Sequence, residues 1–324
     1  MPGMLSFPES WVITLPDAQW VEDLGDLPGG VRAAVWDVEH PPAGALGTDL
    51  ADVAVVVPPY LHPAPALPSL RDLPALRLVQ TLTTGYDTVA PHVPPGVALA
   101  TASGMHDAAT AELAVGLALA SLRGIDDAAR DMESARWRHV LRPSLADRRV
   151  LVVGTGGIGR AVVERLRPFE VVLTRVATRA RQDDDGHVHG VDELPALLPG
   201  HDVVVLAVPL TQRTRHLVDA AFLAAMPDGA LLVNVSRGQV VDTGALLAEL
   251  RRHRLRAALD VVDPEPLPAD HPLWGAPGLL ITPHVGGDTT AMRPRALELL
   301  RDQVARLARG EPPRNLVPDS RLGT

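Results

Sequence analysis

Cysteine and lysine are both missing from the 324 residues, so all 30 basic positions are arginine. Without cysteine there can be no disulfides, thiolate metal sites, iron–sulfur clusters or cysteine nucleophiles. Without lysine, Schiff-base chemistry, pyridoxal phosphate enzymology and the P-loop of nucleoside triphosphatases are excluded. Basic charge is short as well: 30 arginines face 39 acidic residues, for a formal net charge of −9. A general nucleic-acid binder needs a net basic face, so none is expected. Long apolar runs are also lacking. The most apolar helical stretch, Ala111–Leu122, contains Glu112 and falls short of the ~20 residues a membrane span needs. Met1–Ser10 has neither a basic n-region nor an apolar h-region, so no signal peptide is expected and the protein is placed in the cytoplasm. Chemistry is left to Arg, His, Asp, Glu, Ser, Thr or a bound cofactor.

What is present is globular: 46% hydrophobic and 21% charged residues, in a length that suits two domains. Short apolar, β-branched runs recur at Ala51–Val57, Leu76–Gln80, Val150–Val153, Val171–Val176, Asp202–Val208, Ala230–Val235, Ala257–Val262 and Leu279–Thr282. Helical patterns at Ile158–Leu166, Asp219–Met226 and Gly244–Arg252 separate several of them. Such alternation reads as parallel βαβ units buried on both faces, an α/β fold. A weak strand near Val97–Thr101 precedes a long helix, Asp107–Arg123, and a second long helix covers Thr289–Gly310. Two long helices bracketing the βαβ block suggest a chain that crosses between domains. Asp183-Asp184-Asp185 reads as a solvated loop. His187-Val-His189 has no evident carboxylate beside it and reads as a surface turn, so no metal site is expected.

Val150–Gly159 reads strand, then Gly154-Thr-Gly156-Gly-Ile-Gly159, then helix. Gly154 permits the tight turn, Gly156 lets backbone approach a pyrophosphate, and Gly159 lets the helix pack on the strand. The helix N-terminus offers free N–H groups and partial positive charge to phosphates. In an NAD site a carboxylate about 20 residues further on holds the ribose 2′-OH. Here that place reads Ala177-Thr178-Arg179, without a carboxylate. A hydroxyl and a guanidinium suit a 2′-phosphate, so NADP(H) is the preferred cofactor and NAD(H) the second choice.

Three strand ends carry the catalytic candidates: Arg237 after Ala230–Val235, Glu265 after Ala257–Val262, and His284 after Leu279–Thr282. Hydride transfer to a 2-oxo acid needs this set. Arg237 would hold the substrate carboxylate and polarise the carbonyl. His284 would donate a proton to the developing alkoxide, and Glu265 would bond the other imidazole nitrogen and raise its pKa.

At these residues the sequence resembles the D-isomer-specific 2-hydroxyacid dehydrogenases. The blocks are VLVVGTGGIGRAV, VVVLAVPLTQRTRHLVD, FLAAMPDGALLVNVSRGQVVDTGALLAEL, LRAALDVVDPEPLPADHPLW and LLITPHVGG, with a looser match in TASGMHDAATAELAV. The resemblance implies that Arg237, Glu265 and His284 are the family's catalytic set. It implies that Gly154, Gly156, Gly157, Ile158 and Gly159 form the pyrophosphate loop. Thr110 and Asp260 would lie near the nicotinamide, and Val208, Pro209 and Val235 would line the cofactor. Thr84 and Gly85 would grip the substrate carboxylate through backbone N–H groups, and Tyr60 would face the substrate. The implied architecture is two Rossmann-like, doubly wound parallel-sheet domains. The cofactor domain, 98–286, is inserted into a substrate domain of 1–97 completed by 287–324, with the active site in the cleft. A homodimer is implied, with Trp137 at its interface or at the edge of the active site. Gly157, Glu170 and Thr83-Thr84 depart from the family's usual residues.

The resulting expectation is an NAD(P)-dependent oxidoreductase of glyoxylate/hydroxypyruvate-reductase type, acting on a small 2-oxo acid and its D-2-hydroxy acid. Phosphoglycerate or phosphite dehydrogenase activity on the same scaffold is the alternative. So is a non-catalytic, cofactor-sensing protein of co-repressor type. Glu rather than Gln at 265 argues against formate dehydrogenase.

Overall fold

The computed structural model describes residues 5–42, 48–60 and 66–318. The first four residues of the segment read for a leader lie outside that range. The chain divides into two compact units, Met1–His106 with Thr290–Thr324, and Asp107–Thr289.

In the first unit the elements run β1 (Trp11–Leu15), α1 (Ala18–Leu24), β2 (Val31–Val35), β3 (Val53–Val56), β4 (Leu78–Gln80) and β5 (Ala98–Ala100). The five strands are parallel, in the order β2-β1-β3-β4-β5. This is a doubly wound order. The apolar-run reading passes over two strands, β1 and β2, and β2 is interrupted by Arg32. All five residues of β1 are nevertheless buried. Asp17 starts α1 by accepting from the Trp20 N–H at 2.9 Å, an N-cap. The C-terminal helix, Met292–Ala308, buries Ala296, Leu297, Leu300, Val304 and Leu307 in the same core as Ile13, Leu15 and Val55. Gln303, buried with them, donates to Gln80 at 2.6 Å. Residues 98–106 were expected in the second domain. They belong to the first, because β5 pairs with β4 along Leu78↔Ala98 to Gln80↔Ala100.

The second unit runs α2 (Asp107–Arg123), α3 (Ile125–Glu133), β6 (Arg149–Val153), α4 (Gly157–Leu166), β7 (Val172–Ala177), β8 (Arg181–Asp183) and β9 (Gly186–Gly190). It continues through α5 (Leu194–Leu197), β10 (Val203–Leu206), α6 (Ala220–Ala225), β11 (Leu231–Asn234), α7 (Thr243–Arg251), β12 (Arg256–Leu259) and β13 (Leu279–Ile281). The C-terminal helix is therefore α8. The sheet order is β13-β12-β11-β10-β6-β7-β9-β8. It is parallel, as expected, apart from the β8–β9 hairpin at its edge, which pairs antiparallel. The order reverses between β6 and β10, the switch point where open α/β sheets bind ligands. β10 and β11 are buried along their whole length, at about 1.5–3 kcal/mol for each fully buried Val or Leu. α2 is apolar around most of its circumference and buries Ala111, Ala114, Leu117, Ala118 and Leu122. Its small residues let it sit close to α4 and over β11, in one core with Val150, Val162 and Val233.

Asp183-Asp184-Asp185 is exposed, with Asp184 and Asp185 in a turn, and two of its carboxylates are paired. Asp183 accepts both Arg175 Nη atoms at 2.9 and 2.7 Å, and Asp185 accepts Arg167 at 2.6 Å. Arg175 is buried on β7 and needs a partner, and the hairpin turn brings one. Among the described residues no single helix is long and apolar enough to cross a membrane.

Candidate active site

Every expected catalytic and cofactor residue lies in the second unit, and most of them follow C-terminal strand ends. The turn after β6 is shaped by close backbone approach. Gly154 has φ +109°, and a Cβ there would stand 2.2 Å from the Ala207 carbonyl oxygen. A Cβ on Gly159 would stand 1.9 Å from the Gly154 carbonyl oxygen. No larger residue fits either place, and the result is that α4 begins hard against the strand end. Gly156, by contrast, faces open space. It caps α4 without a side chain, and no acidic residue sits in the first turn. The first N–H groups of α4 are thus left without a side-chain cap, an arrangement that suits an anion. Ile158 packs into the core beneath. Gly157 makes room for a neighbour, since a Cβ would fall 1.9 Å from Asp107 Oδ2. A carboxylate therefore occupies the side where a phosphate-binding side chain could have stood.

At the end of β7, Thr178 and Arg179 are exposed. Among the described residues the Arg179 side chain makes no hydrogen bond or ion pair. The guanidinium that reaches the glycine loop is Arg181, which donates to Thr155 Oγ1 at 2.8 Å. The sequence analysis gives Arg181 no role; it is the first residue of β8, at the edge of the sheet.

Val208 follows β10, with its Cγ1 3.2 Å from the Cβ position of Gly154, and the carbonyl of Pro209 accepts Thr214 Oγ1 at 2.6 Å. After β11, Val235 is buried. Asn234, fully buried, organises the next turn. Its Oδ1 accepts from Ser236 N–H and Oγ at 3.0 and 2.6 Å, and its Nδ2 donates to the Arg237 carbonyl at 2.9 Å. Arg237 is half-buried and donates to the Ser236 carbonyl at 2.8 Å. The next residue, Gly238, admits the loop after β12, because a Cβ would stand 1.8 Å from the Val262 carbonyl.

Asp260, buried at the end of β12, accepts Thr282 Oγ1 at 2.6 Å and the N–H groups of Val285 and Gly286 at 2.9 Å each. These bonds fold the chain after β13 so that His284 stands at φ +55°, a left-handed conformation that a non-glycine residue adopts only when its surroundings enforce it. Thr110, on α2, joins the same cluster by donating to the Gly286 carbonyl at 3.2 Å.

His284 Nδ1 lies 2.5 Å from Glu265 Oε1, and both side chains are partly exposed. The Glu265 hydrogen bond raises the imidazole pKa above its ordinary value. Burial opposes the rise, as does the charge of Arg237, which the ring therefore feels. The arrangement favours the protonated form of a half-exposed imidazole in the field of a guanidinium, the equipment for general acid–base work on a bound oxyanion.

The expected substrate contacts belong to the first unit. Thr83 Oγ1 donates to the Gly85 carbonyl at 2.6 Å, and the Ala102 N–H donates to the Thr83 carbonyl at 2.9 Å. Thr84 Oγ1 is buried without a partner, an orphan hydroxyl that costs about 1–3 kcal/mol unless something accepts or donates to it. The Tyr60 ring stacks on His106 at 5.3 Å, and His106 Nε2 lies 2.8 Å from the Leu82 carbonyl.

A family model described as D-isomer specific 2-hydroxyacid dehydrogenase, NAD binding domain, matches residues 115–286. The glyoxylate reductase of Korarchaeum cryptofilum (strain OPF8) is 31% identical over 255 residues, covering 75% of this chain and 76% of that protein. A D-isomer specific 2-hydroxyacid dehydrogenase from Xanthobacter autotrophicus Py2, solved in complex with NADPH and MES, has a TM-score of 0.82 at 27% identity, covering 97% of this chain and 100% of that one. The NADPH-dependent glyoxylate/hydroxypyruvate reductase of Sinorhizobium meliloti, in complex with NADP and malonate, has a TM-score of 0.77 at 25% identity, covering 96% and 97%.

Proposed function

This chain belongs to the D-isomer specific 2-hydroxyacid dehydrogenase family, and from that premise we propose that it is a reductase of small 2-oxo acids, of glyoxylate/hydroxypyruvate type. NADP(H) is the preferred cofactor and NAD(H) the second choice. The observation that carries the proposal is the 2.5 Å His284–Glu265 pair in the field of Arg237.

The residues fit a dinucleotide. Gly154, Gly156, Gly157, Ile158 and Gly159 would hold its pyrophosphate at the open N-terminus of α4. Thr178 and Arg179, now joined by Arg181, would meet a 2′-phosphate. Thr110 and Asp260 would lie near its nicotinamide, Asp260 by holding the 282–286 turn, and Val208, Pro209 and Val235 would line the cofactor. When bound, the cofactor supplies a hydride to the carbonyl carbon.

The chain's own residues do the rest. Arg237 pairs with the substrate carboxylate and polarises the carbonyl. His284, with Nδ1–H donating to Glu265, carries a second proton on Nε2 and gives it to the oxygen as the alkoxide forms. In the oxidative direction the neutral imidazole takes that proton back. To the first unit the proposal assigns Thr84 and Gly85 as carboxylate-binding and Tyr60 as substrate-facing. The protein would act as a cytoplasmic homodimer.

A spectrophotometric panel tests the reading. NADPH and NADH are each paired with glyoxylate, hydroxypyruvate, pyruvate, phenylpyruvate and branched 2-oxo acids, alongside the oxidation of 3-phosphoglycerate and phosphite. The highest kcat/KM is expected for glyoxylate or hydroxypyruvate with NADPH. Turnover of phosphoglycerate or phosphite alone would move the chain to those activities. Cofactor binding without any turnover would make it a sensing protein.

A further inference from the structure

The β8–β9 hairpin carries a side-chain cluster that the proposed reaction does not use. His187 and His189 stand two apart on β9 and therefore project from the same face, while Val188 between them is fully buried on the other. Their rings meet edge to face with centroids 4.4 Å apart. The sequence reading saw no carboxylate beside them, but the turn after β9 brings one. Glu193 Oε2 accepts His189 Nδ1 at 2.7 Å, and Oε1 accepts the Gly190 N–H at 2.7 Å. One ligand atom from each of His187, His189 and Glu193 lies within 4.8 Å of the other two.

An ordinary capping ion pair accounts for only part of this. Glu193 and His189 complete that pair by themselves. His187 is left with a 3.5 Å contact to Gln182, and two imidazoles in edge contact would repel each other if both were charged. A divalent cation uses all three groups at once, as two neutral imidazoles and a carboxylate. The nearby His201 is not available to it: its Nδ1 bonds the Leu197 carbonyl and its Nε2 bonds Thr174 Oγ1.

We propose that His187, His189 and Glu193 form a site for a divalent transition-metal ion, zinc by ligand type, with its fourth position open to water. Two His and one Glu are an established three-ligand zinc set. Metal–ligand bonds of about 2.0–2.2 Å put tetrahedral ligand atoms roughly 3.3–3.5 Å apart. The three side chains are exposed or half-buried, so small rotations about their own bonds close the remaining distance. Glu193 is already anchored through Gly190, which leaves mainly the two rings to move. The site stands independently of the proposed reductase activity.

The full-length protein, stripped with chelator, is titrated with Zn²⁺ by calorimetry at neutral pH. One equivalent is expected to bind in wild type, and His187→Ala and Glu193→Gln are each expected to weaken it at least tenfold. Co²⁺ added to wild type should give the intense visible bands of a four- or five-coordinate ion. Affinity unchanged in both variants, no saturable binding, or a spectrum of hydrated Co²⁺ alone overturns the proposal.

Discussion

Glu265 acts on His284 in two ways, and they can be separated by substitution. As a hydrogen-bond acceptor it holds the ring by Nδ1, and as a charge it favours the imidazolium. Reduction needs the protonated ring, so kcat/KM for a 2-oxo acid should be high at low pH and fall as pH rises through the raised imidazole pKa. Oxidation should show the opposite limb. In Glu265→Gln the main cause of the rise is removed while burial still opposes charge, so the limb should move to lower pH. A pH–rate profile that keeps its limb in this variant would place the titrating group elsewhere. His284→Ala should lose about 10²–10⁴-fold in kcat, the usual range for a positioned general acid. The same linkage bears on stability. The imidazolium's contribution is complete below the ordinary histidine pKa of about 6.5 and is lost as pH rises through the raised value. The second residue-scale test concerns the cofactor. Arg181→Ala should raise KM for NADPH by roughly 10–100-fold, the worth of one charge-assisted contact of about 1.5–3 kcal/mol. It should leave KM for NADH almost unchanged. If Arg179→Ala alone has that effect, the 2′-phosphate is read by the residue named from sequence and not by the one that reaches the glycine loop.

At the scale of elements, the site is a product of close approaches between strand ends and the helices or loops that follow them. Gly159 is where α4 meets the β6 turn. Gly159→Ala would push a methyl group to 1.9 Å from the Gly154 carbonyl, so the helix must shift away. Overpacking of this kind costs about 1–3 kcal/mol, to be measured as a lower denaturant midpoint. Dinucleotide affinity should fall with it, because the N–H groups at the start of α4 move with the helix. Gly238 plays the same part between β11 and β12. The sequence pattern marked most of these elements correctly, with α2 matching at both ends, because continuous apolar runs and helix-breaking glycines are local signals. It passed over β1, β2 and the β8–β9 hairpin. β2 and β8 carry charges, on Arg32 and Asp183, whose partners Asp52 and Arg175 lie on other elements.

For the whole molecule, the informative surface is apolar. Met132 is 80% exposed, Trp137 97% and Leu141 96%, on α3 and the segment that follows it. These side chains are the ones the proposed homodimer would cover with a second copy of this chain. Light scattering after size exclusion should give twice the 34.4 kDa chain mass, and Trp137→Asp with Leu141→Asp should give the monomer. A monomeric wild type would remove the homodimer from the proposal. The net charge of −9 sets the other whole-molecule condition. Substrate and cofactor are both anions, so they must be drawn in by local fields, from the N-terminus of α4 and the arginines beside it, and not by the global one.

The sequence by itself determined the excluded chemistries, the alternating α/β class, the glycine turn and the identity of Arg237, Glu265 and His284 as residues at strand ends. Each of these depends on residue type and short-range order, which the sequence records directly. Only the tertiary structure decided which side chains meet. Glu265 and His284 are 19 positions apart and touch because Asp260 folds the chain after β13. Arg181 reaches Thr155, 26 positions away, and Arg179 does not. Asp107 stands where Gly157 leaves room, and Glu193 stands beside two histidines that had seemed to lack a carboxylate. These pairings depend on strand register and on the direction of turns, and many residues set those together.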